Sequence, residues 1–284
     1  MNPATRAALA VPPARLGEGS PIRLRVVRDM AALTRDFADV LLTEYRACLA
    51  AGRSRAVFIV PVGPIGQFDL LAARCNAERQ SLARLVLINM DEYLDGFGQW
   101  VDPRNPLSFR GHMRRHFFDL LDPQLAPPDD QNIFPDPAAP QQLGEAIAFL
   151  GGVDVCFGGV GITGHLAFND PPEPGEPDDP DAFARLTTRV VKLSRETLTI
   201  NAVTAARGNI ARIPPLAVTI GMAEILAARR VQLYMNRPWQ SAMIRRLLHG
   251  PVSATVPASL LQNHPDACVT ATEEVIRMPE PELG

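Results

Sequence analysis

Lysine is almost absent from this 284-residue chain: Lys192 is the only one, and arginine supplies the rest of its 28 basic residues. Genome base composition accounts for that bias as readily as function does. Cysteine is scarce as well. Cys48, Cys75, Cys156 and Cys268 are scattered, with no C-x-x-C pair, so neither a zinc framework nor a disulfide scaffold is indicated. Thiols buried in a reducing compartment are the expectation. Net charge is small, at -3, so no broad cationic surface points to nucleic acid. No stretch approaches the roughly 18 apolar residues of a membrane span. The run Ala7 to Val11 is too short for a secretory core. A cytoplasmic protein without membrane association is expected.

The chain is long enough for one large domain or two small ones. Residues 1–20 contain prolines and glycines and read as a flexible leader. Beyond them, strands and helices alternate without a linker or repeat, so residues 21–284 are expected to form a single domain. Ile22 to Val27 alternates apolar and basic residues, as an edge strand does. Asp29 is placed to cap a helix that runs to about Ala51, with Gly52 as its stop. Ala56 to Val60, Leu85 to Met90 and Val153 to Phe157 are continuous apolar runs, which suit strands covered on both faces. Helices are expected over 106–121, 141–150, 194–205 and 238–248, with a short one near 258–261. Further strands are expected at 189–193, 216–221, 230–235 and 268–271. Residues 122–140 and the acidic, proline-rich stretch 171–181 read as irregular. The fold class is α/β, with a doubly wound, mostly parallel sheet.

Ligands of such sheets bind beyond the carboxyl ends of the strands. Two strand ends stand out. One is Asp91-Glu92-Tyr93, after the strand that begins at Leu85. The other is Gly158-Gly159-Val160-Gly161-Ile162-Thr163-Gly164-His165, with Asp170 five residues after the histidine. Glycines let a ligand approach the main chain, and an imidazole delivered there can move protons near neutral pH. Asp91 at such a tip suits a general base better than a turn cap. His165 in its glycine setting suits function better than structure. Asp170 either orients His165 or caps the next loop, and Glu92 either supports the site or faces solvent.

Together the two tips resemble a known family. Asn89-Met90-Asp91-Glu92-Tyr93 resembles the N-M-D-E-Y signature of glucosamine-6-phosphate deaminases (isomerases). Gly158 to Gly161, Gly164-His165 and Ala167-Phe168-Asn169 resemble the same family's G-G-V-G-x-D-G-H-x-A-F-N-E. Weaker echoes follow in order at Ser108-Phe109, His116-Phe117-Phe118, Gln131-Asn132-Ile133, Pro214 with Ala217 to Gly221, and His264-Pro265. The resemblance spans roughly residues 55–275 and implies the fold shared with 6-phosphogluconolactonases: a doubly wound sheet with a small appended layer. It implies that Asp91 takes a proton from C2 of an open-chain amino sugar. It implies that His165, supported by Asp170, handles oxygen-bound protons during ring opening. No metal or organic cofactor is required by this chemistry.

The chain departs from the family's pattern, as a divergent member would. Thr163 stands where a carboxylate is implied, which is expected to weaken the relay around His165, and Asp170 is shorter than the implied glutamate. The loop Val62-Gly63-Pro64-Ile65-Gly66 lacks the hydroxyls of a T-G-G-T-P type phosphate loop, and Pro64 has no N–H to offer an anion. Gln240 falls on the implied phosphate lysine. The implied arginine falls near Thr204, with Arg207 three residues on. Each charge-assisted hydrogen bond lost is worth roughly 1.5–3 kcal/mol, so a weakened phosphate grip is expected. The substrate-binding candidates are Gly63, Gly66, Glu92, Gly159, Gly161, Thr163, Arg207 and Gln240, with Arg212 and Arg237 as other possible anion partners. His112 and His116 have metal-ligand spacing, but Arg114 and Arg115 beside them favour a structural reading.

An aldose–ketose isomerase or deaminase acting on an amino sugar or its phosphate is therefore expected, with a small-molecule substrate and a possible homo-oligomer. A lactonase-type hydrolase on the same scaffold and a non-catalytic sugar-binding or regulatory protein remain the alternatives.

Overall fold

Each continuous apolar run has become a strand buried on both sides. A computed structural model describes residues 2–279. Its strands are β1 (Arg23–Val27), β2 (Ala56–Val60), β3 (Leu85–Asn89), β4 (Asp91–Leu94), β5 (Asn132–Ile133), β6 (Val155–Gly159), β7 (Arg189–Lys192), β8 (Leu216–Thr219), β9 (Arg230–Met235) and β10 (Ala267–Thr272). Seven form one sheet in the order β1-β10-β9-β6-β2-β3-β5, with every pairing parallel. The alternating strand β1 lies at an edge, as its pattern predicts.

Along β2 and β3 the side chains divide by parity. Phe58, Val60, Leu85 and Leu87 join Phe37, Leu41, Phe68 and Leu71 of helices Met30–Ala50 and Gln67–Glu78. Val57, Ile59, Val86 and Ile88 join a second core with Ile225, Ile244 and Leu247 on the opposite layer. Both faces are thus dry, which is why these strands carry no polar alternation. Helix Met30–Ala50 starts where Asp29 accepts the Ala32 amide at 2.9 Å, and the chain turns at Gly52 with φ +84°.

The remaining three strands leave the main sheet. β4, β8 and β7 form a separate antiparallel sheet in that order. β3 and β4 are joined by Met90 alone, so the chain passes from one sheet to the other at a single corner. The expected helix over 106–121 is shorter, because Ser108 caps it through the Gly111 amide and it ends at His116, before a 3-10 turn at Phe118–Leu120.

The first twenty residues differ from the flexible leader expected of them. Pro3–Leu9 is helical, Ala8 and Leu16 are buried, and Arg245 explains the docking. This completely buried guanidinium donates to the carbonyls of Val11 (2.9 Å), Ser241 (2.9 Å), Ile276 (2.9 Å) and Arg277 (2.8 Å). It ties both ends of the described chain to helix Ser241–His249. No described helix is long and apolar enough to cross a membrane.

Replacing Arg245 with Ala strands those carbonyls and opens a void. The expected loss is about 3 kcal/mol by urea denaturation, with faster proteolysis of residues 2–12. A change within about 0.5 kcal/mol would show that the arginine is not what holds the terminus.

Candidate active site

A cavity of about 360 Å³ opens at the carboxyl ends of β2, β3, β6 and β9. Asp91 and His165 both line it. Asp91 is the first residue of β4, immediately past the corner. Its carboxyl, half-buried and facing the cavity, has no hydrogen-bonding partner among the described residues. Burial and the neighbouring Glu92 charge raise its pKa to about 8. Tyr93, Phe109 and Phe168 form an aromatic wall of the cavity, with ring centroids 5.0–6.1 Å apart.

Glu92 points the other way and is completely buried. Its carboxylate accepts the amides of Tyr93 (2.9 Å), Phe109 (3.0 Å) and Arg110 (2.9 Å) and the Ser108 hydroxyl (2.8 Å). It neither touches the cavity nor faces solvent. It anchors the first turn of helix Phe109–His116, whose free amides favour a negative charge. Burial raises its pKa, against the pull of the four donors.

β6 ends in Gly158 and Gly159, both inside the strand although the sequence reads them as loop. A Cβ on Gly158 would lie 3.1 Å from Met90 and 3.2 Å from Leu233, so only glycine fits tightly beside the corner. The chain then loops back so that the Gly161 amide donates to the His165 carbonyl at 2.9 Å. The imidazole packs directly on Gly161, where a Cβ would sit 1.9 Å from Nε2. Gly164 takes φ +83°, and Ala167 takes φ +51°, a conformation that costs a non-glycine residue and recurs at functional sites.

His165 Nδ1 lies 2.9 Å from Asp170 Oδ1 and 2.8 Å from the Thr163 hydroxyl. Asp170 also accepts the hydroxyls of Thr163 (3.1 Å) and Thr197 (2.7 Å) and the Ser194 amide (3.1 Å). Burial alone would raise the pKa of Asp170. The bond to His165, its charge, Thr197 and Ser194 together hold it well below the usual carboxylate range. An ionised carboxylate ringed by donors places the imidazole proton on Nδ1 and leaves Nε2 toward the cavity. The relay expected to be weakened by Thr163 is therefore closed by Asp170 itself, with Thr163 as a bridging donor.

Sequence relatives point to one family. A glucosamine-6-phosphate deaminase from Lachnoclostridium phytofermentans is 34% identical over 208 residues, covering 72% of this chain and 81% of the relative. One from Bacillus velezensis is 30% identical over 217 residues, covering 74% and 82%. The chain belongs to the glucosamine-6-phosphate deaminase family. One family deaminase, from Porphyromonas gingivalis, aligns over 261 residues at 28% identity, covering 89% of this chain and 92% of its own. No family model matches the chain. Among solved structures, a monomeric glucosamine-6-phosphate deaminase superposes with a TM-score of 0.76 at 23% identity, covering 90% of this chain and 100% of that one. A 6-phosphogluconolactonase from Thermotoga maritima gives 0.61 at 12% identity, covering 89% and 100%. At those identities the likeness is one of fold.

The other candidates divide. Gly63, Gly159, Gly161 and Gln240 line the cavity. Gly66 does not. It takes φ +99° ahead of helix Gln67–Glu78. Glu92, Thr163 and Asp170 stand behind the lining. Arg207 is not brought to the wall either. It lies exposed in the left-handed turn after helix Arg195–Ala205, while Thr204 and Ala205 reach the cavity. Gln240 is anchored on both sides of its amide. Its Oε1 accepts the Asn236 and Arg237 amides at 2.8 Å each, and its Nε2 donates to the Val160 carbonyl at 2.7 Å. His112, read from sequence as structural, does reach the cavity, as do Asn201 and Arg237. Only the meeting of distant segments reveals the first two. Among the described residues, no group of three or more His, Cys, Asp or Glu side chains is placed to hold a metal ion.

In the Asp170→Asn variant the amide can no longer accept all four donors. We expect the His165 ring to lose its fixed Nδ1–H tautomer, seen as a changed imidazole 15N pattern, and stability to fall by about 1–3 kcal/mol. Unchanged 15N shifts would remove Asp170 from this role.

Proposed function

We propose that this protein is an aldose–ketose isomerase of the deaminase type, acting on an amino sugar or amino sugar phosphate through a phosphate end altered from the family's. The open-chain aldose presents its C2 proton to Asp91. The carboxylate takes that proton as a C1–C2 double bond forms and O1 gains a proton; the C2 proton then returns to C1 while the amine gives up one N–H proton, leaving a C1 hydroxyl and a C2 imine. The resulting C2 imine is hydrolysed by one water to a ketose and ammonia. His165 serves the preceding ring opening: Nε2 takes the proton of the C1 hydroxyl and returns it to the ring oxygen. Asp170 holds the ring and favours the imidazolium formed in passing.

One observation carries this reading: a carboxyl with no hydrogen-bonding partner among the described residues and a pKa raised to about 8 shares a cavity with an oriented imidazole. Two carboxyl groups pushed in opposite directions mark separate roles, a proton-moving one and a permanently charged one. The altered phosphate end is supported by a loop of Pro61 to Ile65 without a hydroxyl and by Gln240, whose polar atoms are all engaged. Arg237 is the sole arginine or lysine in the lining.

The test is deuterium wash-in at C2 of 2-amino-2-deoxyhexoses and their 6-phosphates, with ammonia release measured alongside. Asp91→Asn should lower exchange on the order of a hundred to ten thousand fold. Because the base must be ionised in the free enzyme, kcat/KM should rise with pH and level off above about 8. Lactone opening without exchange would replace this reading with hydrolysis.

Asp91→Asn should move stability the other way. A carboxyl whose folded pKa is raised carries a cost that is absent below its unfolded value of 3.8 and grows until the pH passes about 8. The asparagine variant should therefore melt at least about 2 °C higher at pH 8, with the difference vanishing near pH 4. An equal melting temperature at both values would mean that Asp91 is not desolvated.

A further inference from the structure

We propose that the substrate of this site is an amino sugar left unphosphorylated at the end remote from Asp91, and that His112 hydrogen-bonds its terminal hydroxyl. This rests on the isomerase reading above and narrows its substrate.

The end of the cavity in question lies beneath the loop that follows β2. Pro61, Val62, Gly63, Pro64 and Ile65 contribute carbon and backbone but no charged or hydroxyl side chain. The helix that starts beyond this loop, Gln67–Glu78, offers little to an anion. Asp69 places a carboxylate in its first turn, which lowers the positive potential an anion would meet there. Gln240 is neutral and held in place, its Oε1 accepting the Asn236 and Arg237 amides and one Nε2–H donating to the Val160 carbonyl. Arg237 is exposed, and among the described residues only its backbone is hydrogen-bonded, so its charge is solvated and not fixed by neighbouring side chains. A phosphate dianion pressed against such a wall would lose its hydration without replacement partners.

His112 is built differently. It sits on helix Phe109–His116, which packs against helix Gln67–Glu78 through Phe68 and Phe117, with ring centroids 5.5 Å apart. Its ring stacks on His116 at 4.3 Å, and His116 Nδ1 in turn meets Asp69 Oδ1 at 2.9 Å. The imidazole is thus held flat by its neighbour, yet its own nitrogens have no hydrogen-bonding partner among the described residues. Burial, with His116 and Arg115 beside it, pushes its pKa down to about 4. A ring that stays neutral can give one hydrogen bond and accept another, a pair that a hydroxyl completes and a fully ionised phosphate, which only accepts, does not. It is the one oriented, unengaged polar side chain on the helix that borders this end.

The experiment uses the full chain and a panel of 2-amino-2-deoxyhexoses with their 6-phosphates. C2 exchange in deuterium oxide gives kcat and KM for each. Inorganic phosphate serves as a separate anion probe, and melting curves check that each variant is folded. The unphosphorylated sugars should be preferred in kcat/KM by about tenfold or more. His112→Ala should raise their KM about tenfold with kcat within about threefold, and His112→Gln should recover part of the loss. A preference of about tenfold or more for a 6-phosphate overturns the proposal while leaving the isomerase reading intact. So does competitive inhibition by phosphate below about 1 mM that disappears in Arg237→Ala, which would reveal an anion clamp. An unchanged KM in folded His112→Ala removes the histidine's role. Exchange with neither series defeats the isomerase reading itself, and this proposal with it.

Discussion

The pairing of Asp91 with Thr219 is the contact on which the site depends. Those residues are opposite one another where β4 meets β8. The Ile220 amide donates to the Met90 carbonyl at 2.8 Å, and the Met90 amide donates to Val60 at 3.1 Å, so the corner is fixed from both sheets. The same short stretch holds the other half of the site. Thr219 Oγ1 accepts the Phe168 amide at 3.0 Å, and the Ile220 carbonyl accepts Asn169 Nδ2 at 2.9 Å. One buried strand therefore sets the position of both Asp91 and the loop bearing His165. A site indexed to rigid elements is organised before its ligand arrives, and the left-handed Ala167 is tolerated because these bonds overdetermine its loop.

Within that frame the two carboxyl groups diverge through their surroundings alone. Asp170 is given three donors, from Thr163, Thr197 and Ser194, and a partner ring. Asp91 is given apolar walls, a like charge on Glu92 and no donor at all. Glu92 contributes by being fixed. Its four hydrogen bonds keep a negative charge beside Asp91 and at the head of the helix that carries Ser108, Phe109 and His112 to the cavity. Perturbation of this kind costs folding energy, and here it is concentrated around one cavity.

Much of this was legible in the residues. The buried runs at 56–60 and 85–89 had to be strands of a covered parallel sheet, because no other element uses continuous apolar residues so briefly. Parallel strands then had to deliver Asp91 and the glycine run to one edge. What periodicity could not convey was pairing. Residues 189–192 and 216–219 look like further strands of the main sheet, yet they turn antiparallel and build a second layer on β4. The N-terminal segment looked loose because its few apolar residues are spaced too thinly to announce a core. Its docking relies on Arg245, more than two hundred residues away. His112 was hidden for the same reason. Helical spacing assigned it to a face, but which face meets the cavity is settled by the packing of two helices far apart in sequence.

The departures at Thr163 and Gln240 follow one logic. A carboxylate at 163 would set a second negative charge against Asp170, and each would raise the pKa of the other. The hydroxyl instead donates to Asp170 at 3.1 Å, so one carboxylate does the ionic work with its acceptor capacity filled. At 240 a lysine would project a charge into the cavity, whereas the amide closes on backbone and stiffens the turn from β9 to the next helix. Both groups are neutral: the Thr163 hydroxyl serves the His165–Asp170 pair, and the Gln240 amide serves the main chain. The side-chain field inside the cavity is then set chiefly by Asp91, with Arg237 screened at the exposed rim. A ligand that brings its own positive amine toward Asp91, and nothing charged toward the loop after β2, is the one this distribution of charge leaves room for.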